Sequence, residues 1–266
     1  MITFKMMQVS LNLLHNQLLK AQKDIQVTDA IWHKELLKVR NQLMRHGFQT
    51  KLVGRLFALL DWKWKLSVDI TWPAFLMLKG YTIEIDNEEI IMLLCACTVA
   101  LAGRQVHWVV ADEQRATKLV NKYSALVKLF ELKISAKQGD IIVLTPETLA
   151  LNYLQSESNQ LKRLINNSIS NPTDFAVIEN IDFWLLEKAF AVVDNGNEQI
   201  MLHELFQRYE CLAGSLLGPP NKKLKQVYNI VPITLVDNKK QMFNVSFFKN
   251  EEQKWQAIAH LLTTDR

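Results

Sequence analysis

The chain has 266 residues, 49% apolar and 22% charged, with a formal net charge of +4. That length gives one or two domains and chain enough for a sizeable core, and the apolar content excludes a disordered or collagen-like polypeptide. Glycine is the informative count. An average usage of about 7% would supply roughly 19; there are eight, at positions 47, 54, 80, 103, 139, 196, 214 and 218. No pair of them forms GxGxxG and none forms GxxxxGK. The chain therefore lacks a glycine-rich loop whose backbone N–H groups could close on a phosphate.

Residues 1–60 read as a helical region. Leu11, Leu14, Leu18 and Leu19 recur at helical spacing. Thr28 and Asp29 offer a cap for a helix carrying Ile31, Trp32, Leu36, Leu37, Val39 and Leu43, and Gly47 stops it. A third helix runs from about Gln49 to Leu60. Residues 61–266 form the second region, of alternating strands and helices. Strands are predicted at Tyr81–Ile85, Gln105–Val110, Asp140–Leu144 and Asp174–Ile178. Helices are predicted at Glu88–Ala102, Asp112–Phe130, from Pro146 onward and at Ile181–Ala189. A helix over about Glu198–Leu212, strands near Val231–Val236 and Phe243–Phe247, and a closing helix at Glu251–Leu262 complete the reading. Short apolar strands between helices imply an α/β fold, with a parallel sheet covered on both faces.

Three cysteines, Cys95, Cys97 and Cys211, two of them in an apolar run, fit reduced buried thiols rather than a disulfide framework. The amino terminus MITFKMMQVS lacks a signal-peptide pattern. The longest apolar run, Ile90 to Ala102, is shorter than the ~20 residues of a membrane-spanning helix, so a soluble protein is expected. The six histidines show no HxxxH or HExxH spacing, which predicts no metal site, and His107 reads as a core or inter-strand residue. Residues 1–60 hold nine Lys/Arg against Asp24, Asp29 and Glu35, a local +6. The plain reading is a solvated helix face; the alternative is attraction to an acidic surface such as anionic lipid (a peripheral membrane contact), nucleic acid or an acidic partner.

The residues then become recognisable. GYTIEIDNEEIIMLLCACTVALAGRQVHWVVADEQRATKLV, DIIVLTPETLALNYL, FAVIENIDFWLLEKA, LFQRYECLAG, KQVYNI and NEEQKWQAIAHLL follow one another between Gly80 and Leu262. In that order they resemble the ATPase core of SecA, the bacterial preprotein translocase motor, from roughly residue 50 to the end. The resemblance implies a RecA-like domain, with residues 215–266 corresponding to the start of the link to a second lobe. It also implies ATP and Mg²⁺ as ligands, a bacterial source, and a cytoplasmic or membrane-peripheral location; an exported effector is a further alternative.

The departures from the family pattern decide the expected function. The phosphate-loop hexamer TGEGKT is replaced by Asn87, Glu88, Glu89, Ile90, Ile91 and Met92, so the phosphate-binding Lys is Ile91 and the Mg²⁺-binding Thr is Met92. Two carboxylates stand where polyphosphate would bind. Glu179 and Asn180 replace the acidic pair that holds Mg²⁺ and activates water, and an amide is no general base. The adenine-reading glutamine falls at Asp69. The family's inserted preprotein-binding domain and second lobe have no counterpart in this sequence. The expectation is a pseudo-ATPase with no catalytic residues and no bound ATP or Mg²⁺, acting as a protein-interaction module in targeting or secretion. Its partner, or a second copy, would meet the face left by the missing lobe. A residual ATP-binding protein in preprotein targeting and a nucleic-acid-binding lobe are the alternatives. For the latter, Trp62, Lys63, Trp64 and Lys65 interleave aromatic and basic residues as a stacking platform would, although anchoring of the amino-terminal helices explains them more simply. Glu88, Glu89, Glu179 and Asp182 could in principle hold a divalent cation as a carboxylate cluster.

Overall fold

The computed structural model describes residues 13, 16, 20, 29–64, 66, 68–78, 81–83, 88–164, 175–181, 183, 184, 188, 191–206, 209, 211–215, 229–234 and 241–246. Helices α1 (Asp29–His46), α2 (Thr50–Trp64) and α3 (Val68–Met77) come first. In α1 the apolar residues Trp32, Leu36, Val39 and Leu43 recur every three to four positions and form one buried stripe. Gly47 ends the helix with φ +66, its N–H donating to the Leu43 carbonyl at 2.8 Å. Nothing lies within 4 Å of where its Cβ would be, so glycine serves the left-handed backbone there rather than a tight fit. The Trp32 indole donates to the Leu59 carbonyl at 2.9 Å, fastening α1 to α2. Helix α3, beyond residue 60, was not foreseen and extends the helical layer.

The rest of the chain runs β1 (Tyr81–Ile83), α4 (Glu88–Leu101), β2 (Val106–Val109), α5 (Glu113–Lys128), β3 (Ile134–Ser135), β4 (Ile141–Leu144), α6 (Pro146–Leu164), β5 (Phe175–Ile178), β6 (Val192–Asp194), β7 (Gln199–Met201), α7 (Leu202–Phe206), β8 (Cys211–Ser215), β9 (Asn229–Thr234) and β10 (Gln241–Ser246). Eight strands form one sheet in the order β3-β4-β2-β5-β8-β1-β10-β9, and β6 with β7 makes a separate ribbon. Every pairing from β3 to β1 is parallel. Strands β10 and β9 extend the sheet in antiparallel fashion beyond β1. This is an α/β fold with a mostly parallel sheet.

The central strands VHWV, IIVL and FAVI are apolar almost throughout because both faces of the sheet are covered. On one face Val106, Trp108, Ile141, Val143, Phe175 and Val177 join the core of α1–α5. On the other, Val109, Ile142, Leu144, Ala176 and Ile178 meet residues of α6, α7 and the ribbon. Helix α4 is buried at every residue from Ile91 to Leu101, packed against α3 on one side and the sheet on the other. Among the described residues no helix is long and apolar enough to cross a membrane.

The predicted helix over Glu198–Leu212 is overturned. Those residues instead make β7, the five-residue α7 and the start of β8. The cause is the turn at Asn195-Gly196. Gly196 takes φ +88, and the Asn195 side-chain oxygen accepts the N–H groups of Asn197 and Glu198 at 2.9 Å each. That turn folds Gln199–Met201 back on Val192–Asp194. The predicted closing helix at Glu251–Leu262 lies outside the described residues, as does most of Ile181–Ala189.

Strand β8 approaches β5 closely at Gly214, where an added Cβ would sit 2.4 Å from the Ile178 carbonyl oxygen. Gly214→Ala is therefore expected to force the two strands apart and lower stability by about 1–3 kcal/mol. A reduced urea midpoint with an unchanged m-value is the readout.

Candidate functional site

In a parallel sheet, ligands gather beyond the carboxyl ends of the strands, and the candidate residues converge there. Strand β2 leads through Asp112, whose carboxylate accepts the Arg115 N–H at 2.7 Å and caps α5. Strand β4 leads to Thr145, whose hydroxyl accepts the Thr148 N–H at 3.1 Å at the start of α6. The Thr148 hydroxyl in turn donates to Glu113 at 2.7 Å. Strand β5 leads directly into Glu179 and Asn180.

That last dipeptide is held on several sides. The Glu179 N–H donates to the Val109 carbonyl at 2.9 Å, continuing the pairing with β2. Its own carbonyl accepts the buried Trp184 indole N–H at 3.1 Å. Asn180 takes φ +52, a left-handed conformation that asparagine tolerates better than most residues. Its N–H donates to the Ser215 hydroxyl, at the end of β8, at 3.2 Å.

The organising group is Arg115, in the first turn of α5. Its Nε and Nη2 donate to the two carboxylate oxygens of Glu179 at 3.1 and 3.0 Å, a bidentate fork. Its Nη1 donates to Glu89 Oε1 at 2.6 Å. The other Glu89 oxygen accepts from Lys122 Nζ at 2.6 Å and from the Tyr123 hydroxyl at 2.8 Å. One guanidinium thus joins the first turn of α4, the α5 helix and the end of β5.

Burial opposes ionisation of Glu89, but hydrogen bonds from Lys122, Tyr123 and Arg115 outweigh it and hold the carboxyl down at about 2. Burial likewise opposes the charge on Arg115, yet Glu179 and Glu89 keep it firmly protonated. Glu179 is the exception. Its side chain is 5% exposed, and burial, with Glu88 and Glu89 nearby, pushes its carboxyl up further than Arg115 draws it down.

The predicted site residues divide into three groups. Glu89 and Glu179 are brought together, through Arg115, with Glu88 and Asn180 alongside. Ile91 and Met92 are in the core, 1% and 0% exposed. Asn87 and Lys65 lie outside the described residues, and of Asp69 and Trp62 only their helical positions, on α3 and α2, are described. Of the aromatic–basic segment, Trp64 packs edge-on against Phe130, with ring centroids 5.0 Å apart. Lys63 sits over the Trp32 ring at 5.1 Å. Both side chains contribute to anchoring α2 against the core. Asp182 is not among the described residues, and among those that are, no three His, Cys, Asp or Glu side chains gather closely enough to hold a metal ion.

Sequence reasoning missed Arg115, Lys122 and Tyr123. A signal existed: Ala116, Leu119, Tyr123 and Val127 make the buried stripe of α5, and Arg115 and Lys122 each border it. A cation bordering an apolar stripe can keep its head in water or, where the interface covers it as it does Arg115, pair with a carboxylate across it. No protein-family model matches the chain, and no curated protein matches it at significant similarity.

Among the described residues, His107 and Glu89 are two groups whose lowered pKa weakens the fold in acid, and the raised Glu179 carboxyl acts the other way. His107, on β2, faces Tyr209 with Nδ1 and Oη 2.5 Å apart, and burial pulls its pKa down to about 4 from an ordinary 6.5. The folded protein therefore binds fewer protons than the unfolded chain in that window, and stability falls as pH drops from about 6.5 to 4. Glu89 acts in the same direction lower down: its contribution, complete above pH 4.5, is lost toward pH 2. Urea midpoints measured against pH are expected to decline through both windows. His107→Gln is expected to flatten the upper decline and Glu89→Gln the lower.

Proposed function

We propose that the chain is a catalytically inactive relative of the SecA motor's first RecA-like lobe, serving as a protein-interaction module in targeting or secretion. One observation carries the loss of activity. The residues standing at the family's phosphate-binding Lys and Mg²⁺-binding Thr, Ile91 and Met92, are sealed into the core by α4. Even a rearranged loop before α4 would present neither a cation nor a hydroxyl from those positions. The RecA-like reading is supported by the mostly parallel sheet and by Glu89 in the first turn of α4, Glu179 and Asn180 after β5 and Ser215 at the end of β8, which are linked to one another through Arg115 and the Asn180 N–H at its carboxyl edge.

The partner, or a second copy, would meet the face that in the family is turned to the second lobe; the described rim of this edge carries exposed Asp112, Glu113 and Glu147. Among the described residues the exposed large apolar side chains are Leu13, which precedes α1, Ile31, Leu37 and Met44 on α1, Leu129 after α5, and Val192 in β6. Leu37 and Met44 flank Arg40, which reaches Glu131, two residues beyond Leu129, at 3.8 Å. This neighbourhood is the more suitable place for a partner.

Calorimetric titration with ATP and ADP, with and without Mg²⁺, tests the reading. The expected result is no binding at millimolar nucleotide; micromolar binding would overturn it in favour of a redesigned nucleotide site.

A further inference from the structure

The Arg115 network does more than neutralise stray carboxylates. Glu179 is nearly inaccessible, follows a strand in the centre of the sheet, and lies beside Glu89 and Glu88 at the mouth of α4. A carboxylate so placed needs a partner charge, which can be a bound metal, a cationic ligand group or a side chain of the protein itself. Here the chain supplies it. The guanidinium takes both Glu179 oxygens side-on and turns its remaining nitrogen to Glu89. Lys122 and Tyr123, one helical face further along α5, complete the neutralisation of Glu89.

We infer that Arg115 is a built-in ligand: it fills the carboxyl edge of the sheet in place of an external cation and ties α4, α5 and β5 into one arrangement without any small molecule. The inference rests on the reading of this edge as a converted ligand site. Its consequence is a module whose shape is constitutive, so that partner binding would not depend on nucleotide or divalent-cation levels. Three elements that could otherwise shift relative to one another are cross-linked by a planar group whose donors point in fixed directions, which lysine would not reproduce.

The test is thermal melting of the full chain and its variants, with methylguanidinium as the probe. Arg115→Ala is expected to melt about 6–12 °C below the wild type, because the Glu179 carboxylate is stranded. Methylguanidinium at tens of millimolar is expected to restore several degrees to R115A and nothing to the wild type, with sodium chloride at equal concentration restoring neither. R115K, keeping a charge without the fork, is expected to melt in between. If R115A fails to fold, the double variant R115A/E179Q is measured in its place. It is expected to fold, because the neutral amide removes the stranded charge.

R115A melting with the wild type would overturn the inference, as would an R115A that methylguanidinium does not restore, or a double variant that also fails to fold. The two readings fail separately. Nucleotide binding by the wild type would remove the pseudo-ATPase and leave a successful rescue standing. A failed rescue without nucleotide binding would remove the built-in ligand alone.

Discussion

Helix α4 constrains everything around it. A helix with eleven consecutive buried residues, Ile91 to Leu101, has no face to give to water and must be enclosed on all sides. The sheet covers one side through β2, β4 and β5, and α3 covers another, with α1 in contact as well. The amino-terminal helices therefore act as the outer wall of the α/β core rather than as an appendage to it. Trp32 illustrates the join: it lies between the Leu59 carbonyl of α2 and the ring of Phe130, which follows α5.

Enclosure of α4 also determines the chemistry of the carboxyl edge. Once its interior is apolar from Ile91 onward, only Glu88 and Glu89 in its first turn can face the ends of the strands. Carboxylates suit a helix amino terminus because they oppose its partial positive charge. The same placement at α5 falls to Asp112 and Glu113, and at α6 to Glu147. Three helix ends that could each have attracted an anion are thus met by the chain's own acids. Among the described residues the one deeply buried acid, Glu179, is left to Arg115. The polarity of the edge is set by this exchange of anions for cations, not by any single substitution.

Much of the fold was legible because burial writes itself into continuous apolar strands. VHWV, IIVL and FAVI, the capped α5, and the Pro146 start of α6 were each recognisable locally. The failures have a shared cause. Strand β8, CLAGS, is short and built of small residues, and its identity comes from Gly214 fitting under the Ile178 carbonyl, a contact 36 residues distant in sequence. The ribbon of β6 and β7 depends on one Asn-Gly turn embedded in a polar stretch that also suits a helix. At the site, the acidic residues were legible as departures from a family pattern, whereas Arg115 looked like one more charge on an amphipathic helix. Only the placement of α5 beside the sheet, which brings Glu89 of α4 and Glu179 after β5 within its reach, turns it inward.

The two cysteines of α4 gain a particular property from that enclosure. Cys95 and Cys97 are both fully buried, and burial drives the Cys97 thiol well above its ordinary pKa, so almost no thiolate forms there. An oxidant or alkylating agent in the surrounding solution finds no nucleophile while the helical wall and the sheet stay closed around them. Chemical change at these sulfurs would record that the two layers had parted at some earlier moment, a memory of opening retained after the fold has closed again.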